Sequence, residues 1–564
     1  MSKPLSILVL LLVSAFFGVF FLYPVFLTTQ QAFLGQDGGF TTRYVEQVFE
    51  NEIYREGLSN AFWIAVASTL LSFVIALPLA YLANRFVFPA KGLFSSLILV
   101  PLILPPFVGA IGLKQFLGVE GSLNAILENL GLLSPDQPVD WLSQYRVLGI
   151  VLMNALHLYP ILYLNLSASL ANLDPAMEEA ATNLKCPPWR KFFRITVPLT
   201  MPGIFAGGAI VFIWSFTELG VPLIFDYTRV TPVQIFDGLK EIGSNPFPYA
   251  LIVIVLLVSV LLFSISKIAF GGAQTLQATR ASVASAPKQL SLPKGLAASG
   301  LFAFVFAAAV IPHLGVIFLA FSTDWYGTLI PESLTLKNFS DALGDPMAVP
   351  SIQNSLLYAS LSTFLDLILG IAIAYVIVRT TLPGRQLLDI FSMLPLAVPG
   401  LVLAFGYLAM SREGEPLSWM RIGDNPILLL VIAYAVRRLP YVVRSAAAGF
   451  QQTPVMLEEA AQNLGCTPLR AMQKITLPLI VANLIAGCLL AFSFAMLEVS
   501  DSLILAQKSE HYPITKAIYE LFGTLGNGHL LASALGVWAM VFLAICIFGA
   551  SIVLGKKLGS LFRV

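Results

Sequence analysis

The sequence predicts an all-α polytopic membrane protein of about 12 transmembrane helices, arranged as two parallel repeats of six helices. Three observations support this fold class. Of the 564 residues, 57% are hydrophobic and only 11% are charged, whereas soluble globular chains average about 25% charged residues. Apolar runs of roughly 20 residues, enough to cross a ~30 Å hydrocarbon core, recur along the whole chain. Long segments of the first half also recur in the second half.

The apolar runs define the predicted spans. We interpret the first run as a retained helix and not as a signal peptide, because it exceeds the usual apolar length and no small-x-small cleavage site follows it. We expect spans near 5–28, 59–83, 93–113, 147–170, 201–225, 249–270, 299–322, 354–378, 387–410, 426–443, 483–505 and 531–555.

Charge distribution predicts the orientation. Lys and Arg are more frequent in the connections on the side of the N-terminus, and most Asp and Glu fall on the opposite side. Cytoplasmic connections are enriched in Lys and Arg, so we expect a multi-pass protein of a bacterial or archaeal cytoplasmic membrane with both termini in the cytoplasm. None of the four cysteines (Cys186, Cys466, Cys488, Cys546) falls in a predicted external loop, so no disulfide framework is implied.

An internal repeat organises the chain. Segment 60–85 matches segment 354–379 at an offset of 294. Segment 178–199 matches segment 458–479 at an offset of 280, with more than half of the positions identical. The 14-residue difference between the two offsets falls in the external loop after the third span of each half. Such self-similarity indicates a duplicated structural unit.

The repeat predicts three regions. Residues 1–270 form the first repeat, 271–298 a cytoplasmic linker rich in Gly, Ala, Ser, Gln and Pro, and 299–564 the second repeat. The composition is typical of a flexible linker, although an ordered surface loop is an equal alternative. Because six spans is an even number, both repeats enter the membrane in the same orientation, and a pathway between the halves follows.

Each repeat carries a polar loop of about 30 residues on the basic face, which local chemistry divides into two short helices. Asp174 with Pro175, and Thr453 with Pro454, are typical of helix starts. Pro188 and Pro468 restart the chain. We expect a second, basic helix in each loop to end at Pro198 and Pro478. A duplicated amphipathic helix of this kind suits docking into a partner's groove; the alternative is a helix lying on lipid headgroups.

The two loops resemble the EAA loop of ABC importer permeases. The pattern consists of Glu-Ala-Ala, a Gly position three residues later, and a hydrophobic-x-hydrophobic-Pro end. We name 174–198 and 453–478 the first and second EAA loops. The pattern begins at Glu179 in the first loop and at Glu459 in the second. The residues that the resemblance assigns to ATPase coupling are Glu178, Glu179, Ala180, Ala181, Lys185 and Pro198 in the first loop, and Glu458, Glu459, Ala460, Ala461, Gly465 and Pro478 in the second.

The resemblance implies that these loops are coupling helices seated on two copies of a cytoplasmic ATPase subunit, with an extracytoplasmic binding protein delivering the substrate. Lys185 departs from the pattern because it stands at the Gly position, where a left-handed conformation suits glycine. We therefore expect the first helix to end differently from the second. The fused double permease most resembles the ferric-iron type of importer, with thiamine, phosphonate and polyamine systems close by.

Several kinds of chemistry are missing from the sequence. No G-x-x-x-x-G-K-[ST] motif occurs, so ATP and Mg²⁺ are expected on the partner ATPase and no cofactor on this chain. The four histidines (His157, His313, His511, His529) show no metal-ligand spacing, and no nucleophile motif is present. We expect a transport subunit with no catalytic residue, no metal site and no nucleic-acid partner; membrane lipid surrounds it.

Ionisable residues within spans cost about 2.5 to 3.5 kcal/mol each to insert, which makes them candidates for the translocation pathway. Glu218 and Glu498 are equivalent at the 280 offset and are expected near the external mouth, either as a gate or as acids reaching water. Arg437 and Arg438 lie at mid-depth, where the first repeat has His157. The arginines either neutralise Asp366 or Asp389, or face an anionic substrate.

The sequence therefore predicts the transmembrane permease subunit of an ATP-driven importer, with ferric iron as the preferred cargo. Alternatives within the class are thiamine, phosphonate, polyamine or oxyanion import. An ion-coupled secondary transporter is the rival of another class, since it also uses fused repeats and buried charges. A structural or receptor role is a third option.

Overall fold

The computed structural model describes residues 3–35, 37–241, 245–278 and 288–553. These residues are almost entirely helical, and the all-α fold class is confirmed. The terminal residues, and residues 279–287 of the predicted linker, lie outside the described residues. Residues 271–278 continue a long helix, and 292–298 already belong to the next helix.

The helices up to the linker alternate between long apolar elements and short connecting ones. They are α1 (Lys3–Phe17), α2 (Tyr23–Ala32), α3 (Arg43–Glu50), α4 (Glu52–Arg85), α5 (Lys91–Leu97), α6 (Pro106–Leu117), α7 (Ser122–Asn129), α8 (Trp141–Ala171), α9 (Pro175–Asn183), α10 (Pro188–Lys191), α11 (Val197–Phe216), α12 (Gly220–Ile224), α13 (Thr231–Asp237) and α14 (Phe247–Ala278).

The remaining helices repeat this alternation. They are α15 (Leu292–Phe321), α16 (Lys337–Gly344), α17 (Ala348–Arg379), α18 (Arg385–Met393), α19 (Gly400–Met410), α20 (Ile427–Gln452), α21 (Met456–Asn463), α22 (Pro468–Ala471), α23 (Leu477–Met496), α24 (Ser500–Leu505), α25 (Ile514–Phe522) and α26 (Gly528–Val553).

Short irregular elements join these helices. The π turns are Gly18–Leu22, Phe192–Thr196 and Met472–Thr476; the 3-10 turns are Val100–Leu102, Gly238–Glu241, Leu394–Leu396, Ser418–Met420 and Ser509–His511. The strands β1 (Phe86–Val87) and β2 (Lys288–Gln289) form one short parallel pair.

The chain forms two compact units, and neither is continuous in sequence. One unit contains Met1–Glu50, Ile235–Leu256 and Phe339–Val564. The other contains Asn51–Gln234 and Leu257–Asn338. The unit that holds most of the second half therefore includes the N-terminal helices, whereas α15 belongs with the first half. The predicted domain boundaries are defined by sequence similarity, whereas these units are defined by contacts between residues. The boundaries therefore stay a prediction.

The displaced helices pack in the same way in both units. In one unit, α2 lies against α19, and Pro24 meets Gly406. In the other, α15 lies against α6, and Pro312 meets Gly112. Gly112 and Gly406 are equivalent at the 294 offset. Small residues let helix backbones approach closely, so each glycine admits the first-span helix of the other half of the sequence.

Within the described residues, nine helices are long and apolar enough to cross a membrane, and 11 spans result if each of two bent pairs counts as one. The bent pairs fall on the third and ninth predicted spans. Their helices turn by 91° and 101° at breaks that contain Pro105 and Pro399. Pro160 and Pro440 lie inside α8 and α20, which continue through them.

The tenth predicted span, near 426–443, coincides with α20. This helix is long enough to span a membrane but is not among the nine apolar helices. Any stretch of it that is long enough to cross the hydrocarbon core contains three arginines, Arg437, Arg438 and Arg444. Most of its residues are nevertheless buried inside the protein, and Arg437 and Arg438 are paired with acids, whereas Arg444 is exposed.

Candidate functional site

The two EAA loops fold into the short helices that the sequence predicts. In the first loop, the Asp174 carboxylate accepts a hydrogen bond from the Ala176 N–H at 2.9 Å and caps α9. Glu178 lies in the first turn of α9, and both Glu458 and Glu459 lie in the first turn of α21, where acids favour the positive end of the helix dipole. Pro188 and Pro468 begin α10 and α22.

The predicted cap of the second loop is wrong. The Thr453 hydroxyl donates back to the Gly449 carbonyl at 3.0 Å, and α21 begins only at Met456. Threonine hydroxyls readily bond a carbonyl one helical turn earlier. Thr453 therefore completes α20 and does not start α21.

The two loop helices end alike, and the expected difference at Lys185 is wrong. Lys185 adopts a left-handed conformation with φ of 57°, as Gly465 does with φ of 86°. The Lys185 N–H donates to Thr182 O at 2.9 Å, and the Gly465 N–H donates to Gln462 O at 2.9 Å. The hydrogen bonds of the turn therefore hold a lysine in a conformation that disfavours side chains.

Pro198 and Pro478 do not end the second helix of each loop, contrary to prediction. A π turn precedes each proline, and the Val197 N–H donates to the Phe192 carbonyl five residues back. Proline lacks an N–H, so a change of hydrogen-bond register at this point absorbs the gap in the helical ladder. The helical run continues from Pro188 to Phe216 in the first half and from Pro468 to Met496 in the second.

The adjacent glutamates of each loop have different surroundings. Glu178 is partly buried and forms an ion pair with Arg85 at 2.8 Å, while the Thr196 hydroxyl donates to the same oxygen at 2.9 Å. Glu179, by contrast, is exposed. The first EAA loop thus directs one acid toward the membrane helices and the other toward solvent.

The second loop repeats this arrangement. Glu458 pairs with Arg379 at 3.2 Å and accepts a hydrogen bond from the Thr476 hydroxyl at 2.8 Å, while Glu459 is exposed. Sequence reasoning missed the two arginines and the two threonines. The signal was available, because Arg85 and Arg379 end the repeated segments at the 294 offset, and both threonines are identical between the loops.

Apolar side chains are also exposed on both loops. Leu184 is 83% exposed and its equivalent, Leu464, is 90% exposed; each precedes the left-handed residue. Met177 and Trp189 in the first loop and Met456 in the second are exposed as well. Exposed large apolar residues beside polar ones are typical of an interaction surface.

The predicted intramembrane charges of the second half form one buried network. Arg437 contacts Glu498 at 2.5 Å and Asp501 at 3.2 Å, and Arg438 pairs with the other oxygen of Glu498. The predicted partners of the arginines, Asp366 and Asp389, are wrong. Glu498 lies after a break in the helix, which lets it reach α20.

Asp366 and Asp389, the two acids predicted to pair with these arginines, have other surroundings. Asp389 pairs with Arg444 at 3.5 Å. Asp366 is fully buried, and neither of its carboxylate oxygens has a hydrogen-bond partner among the described residues. Both guanidinium groups of the network are thus engaged by Glu498 and Asp501, and not by these two acids.

The equivalent residues of the first half have simpler contacts. The Glu218 carboxylate accepts hydrogen bonds from the N–H groups of Gly220 at 3.0 Å and Val221 at 3.2 Å, at the start of α12. His157 contacts the Pro101 carbonyl through Nδ1 at 2.8 Å. The structure thus brings four charged residues of the second half together in one unit.

Potential metal ligands are dispersed. In the described part of the chain, no three His, Cys, Asp or Glu residues lie close enough together to hold a metal ion. The four cysteines are all free and partly exposed.

Comparison with known proteins is consistent with this geometry. The family model described as binding-protein-dependent transport system inner membrane component matches residues 72–270 and again 366–555. Each match contains one EAA loop. The two matches together cover more than half of the chain.

Individual relatives align over most of the chain. FbpB 1 of Haemophilus influenzae is 28% identical over 82% of this chain and 71% of its own length. The ferric transport system permease protein FbpB of Actinobacillus pleuropneumoniae is 27% identical over 81% of this chain. This chain spans just under two thirds, 64%, of the length of that relative.

More distant matches cover one half only. The molybdate/tungstate transport system permease protein WtpB of Pyrococcus furiosus is 28% identical over 39% of this chain and 85% of its own. A crystal structure of a bacterial ABC transporter involved in the import of the polysaccharide alginate is similar at 17% identity and a TM-score of 0.35, over 45% of this chain and 93% of its own.

The duplicated family match, the duplicated EAA loops and the apolar helices lead to one assignment. The chain is a transport subunit and not an enzyme, and its place is the cytoplasmic membrane, which it crosses several times. It belongs to the family of binding-protein-dependent transport system inner membrane components, the permeases of ABC importers.

Proposed function

We propose that this chain is the membrane subunit of an ATP-driven importer that takes up ferric iron delivered by an extracytoplasmic binding protein. In this proposal both termini and both EAA loops are cytoplasmic, and each loop binds one of two ATPase subunits. ATP and Mg²⁺ bind to those subunits, since this sequence has no phosphate-binding motif.

One observation carries the proposal: the two loops present the same side chains at equivalent positions. Glu179 and Glu459 are exposed, and Leu184 and Leu464 are almost fully exposed. A short helix with exposed apolar and acidic side chains suits insertion into a groove on a partner. Duplication of the surface fits two identical partner subunits better than a helix that only lies on lipid.

The loop construction supports a mechanical role. The second short helix of each loop, α10 or α22, runs without a break into the next long helix, through a π turn and past a proline. A displacement of the loop by a bound ATPase would therefore move α11 or α23 directly. Movement of helices in this way changes access to a pathway.

Two observations support ferric iron over an anionic cargo. Relatives aligned over 81% and 82% of the chain carry ferric transport names or the FbpB designation, whereas the molybdate/tungstate relative aligns over 39%. Arg437 and Arg438, which could have favoured an anion, are engaged by Glu498 and Asp501. Thiamine, phosphonate and polyamine remain alternatives, and the family assignment leaves an ion-coupled secondary transporter without support.

The docking test changes the exposed acids of both loops together. We expect Glu179→Lys with Glu459→Lys to abolish retention of the ATPase subunit on the purified chain, because charge repulsion replaces attraction at both contacts. The matched control is Glu50→Lys with Glu332→Lys, two exposed acids outside the loops, which should retain the ATPase normally. Normal retention by the loop variant would refute the docking surface.

The cargo test measures uptake into cells that express the chain with its ATPase and binding protein. Radioactive ferric iron should accumulate in the wild type and not in the Glu179→Lys, Glu459→Lys variant. Uptake of labelled molybdate instead of ferric iron would refute the cargo while leaving the importer class intact. Uptake of either one by the chain without an ATPase would refute the importer class.

A further inference from the structure

In each EAA loop, one glutamate oxygen joins three helical segments. In the first loop the Glu178 Oε1 atom contacts Arg85, the last residue of α4, and Thr196, the residue before α11. Glu178 itself belongs to α9. We name the Arg85, Glu178 and Thr196 contact the first clasp.

The second clasp consists of Arg379, Glu458 and Thr476. Arg379 is the last residue of α17, Glu458 belongs to α21, and Thr476 precedes α23. The Glu458 Oε1 atom accepts from both partners. The same three-way contact thus occurs once in each unit, between residues that are 93 positions apart in the first clasp and 79 in the second.

Burial shows that the clasps are separate from the docking surface. The side chains of Arg379 and Glu458 are 6% and 7% exposed, and those of Arg85 and Glu178 are 10% and 16% exposed. An ATPase bound to the exposed side of the loop would therefore contact Glu179 and Glu459 but not their neighbours. Adjacent glutamates thus serve two different contacts.

We propose that the two clasps are positioning contacts that transmit loop displacement to α4 or α17 as well as to the helix that follows the loop. This inference rests on the proposed function. Each loop continues covalently into α11 or α23, but it reaches α4 or α17 only through space. A charge-assisted contact in a poorly solvated place is strong enough to make that second connection.

The two clasps differ in strength. Arg379 also donates to the Thr453 carbonyl at 2.7 Å, and its guanidinium lies 5.6 Å from the centre of the Phe450 ring. The Nε atom of Arg85 is buried without a hydrogen-bond partner among the described residues. The second clasp is therefore the better anchored, and its loss should have the larger effect.

The test separates binding of the ATPase from transmission. The full chain is purified with its ATPase subunit and placed in vesicles of bacterial lipid. Retention of the ATPase and the rate of ATP hydrolysis, with and without the binding protein, are then measured. We expect Glu458→Gln to retain the ATPase, while stimulation of hydrolysis by the binding protein falls roughly fivefold or more. Glu178→Gln should reduce it less.

Two variants guard against a trivial loss of folding. Exchange of the first pair, Arg85→Glu with Glu178→Arg, should recover part of the stimulation lost in Glu178→Gln, because it restores the attraction. Arg379→Lys keeps the charge and should remain closer to wild type than Arg379→Gln. Glu459→Gln is the control at the neighbouring, exposed glutamate. It should lower ATPase retention, but in the complexes that keep the ATPase the binding protein should stimulate hydrolysis as in the wild type.

The outcomes distinguish the two proposals. Full stimulation in Glu458→Gln and Glu178→Gln would overturn the clasps and leave the importer function standing. So would an exchanged pair that folds, retains the ATPase and recovers no stimulation. Loss of ATPase retention in Glu458→Gln would place Glu458 in the docking surface and overturn its positioning role. A wild-type chain that retains no ATPase would overturn both proposals.

Discussion

Gly406 of α19 lies against the backbone carbonyl of Pro24 in α2, so closely that a methyl group at position 406 would overlap that oxygen. Gly112 of α6 has the same relation to Pro312 of α15. The atoms in the way belong to the backbone and not to the end of a flexible side chain. Each helix pair would have to separate to admit any side chain.

Gly406→Ala and Gly112→Ala should therefore each destabilise the protein by about 1 to 3 kcal/mol, the usual cost of overpacking. The midpoint of thermal unfolding of the purified chain in detergent would measure the loss. Gly300→Ala is the control, because an added methyl there meets nothing within 4 Å. An equal midpoint for all three variants would contradict the close approach.

The buried charge network predicts unequal effects of two equivalent substitutions. Glu498→Gln leaves Arg438 buried with a weakened partner, and breaking a buried ion pair costs on the order of 3 kcal/mol. Glu218→Gln keeps an oxygen for the N–H groups of Gly220 and Val221, so its cost should be small. Unfolding midpoints of the two variants would show the difference, and similar midpoints would contradict it.

The left-handed residues predict a local effect in the second EAA loop. Gly465→Ala places a side chain in a conformation that costs roughly 1 kcal/mol. The Cys466 N–H, which donates to the Ala461 carbonyl at 3.0 Å, should then exchange with solvent deuterium faster. Lys185→Ala is the control for the first loop, since the strain is already present there. Unchanged exchange at Cys466 would rule out the conformation.

The exposed leucines test the docking surface separately from the acids. Leu184→Asp with Leu464→Asp should weaken ATPase retention at least as much as the acidic variants do, because an apolar contact is replaced by a charge that must be desolvated. The unfolding midpoint of the chain alone should not change, since both side chains are exposed. Undiminished retention would place the leucines outside the contact.

Much of the fold could be predicted from the sequence. Apolar runs and the internal repeat located the long helices, and the EAA pattern located α9 and α21. Asp174 was correctly predicted as a helix cap because Asp followed by Pro has few other uses. Thr453 was not, because a threonine hydroxyl can bond either the helix that ends or the helix that begins.

The pairing of helices could not be predicted in the same way. The repeat shows that α15 is the first span of the second copy, as the N-terminal helices are of the first. It does not show which copy α15 contacts. Helices that are apolar on all sides carry no pattern that marks a preferred neighbour. Gly112 and Gly406 were visible in the sequence, but their partners Pro312 and Pro24 lie far away in the chain.

The partners of the buried arginines were missed for a related reason. Hydropathy gave no sign of the break between α23 and α24, which lets Glu498 reach Arg437 and Arg438 of α20. Arg85 and Arg379 end α4 and α17, and nothing in the hydropathy of those helices marks them as partners of Glu178 and Glu458. The sequence shows which residues within the spans are charged. It does not show which of them are in contact, because the contacts depend on helix breaks and turns that hydropathy does not reveal.

The packing of α2 on α19 sets an order of events during biosynthesis. Pro24 leaves the ribosome early, and Gly406 is made only after most of the chain has been inserted. The N-terminal helix must therefore be made before its final neighbour exists. Correct maturation of this protein is a post-insertion event, and truncation before α19 should leave that helix permanently unmatched.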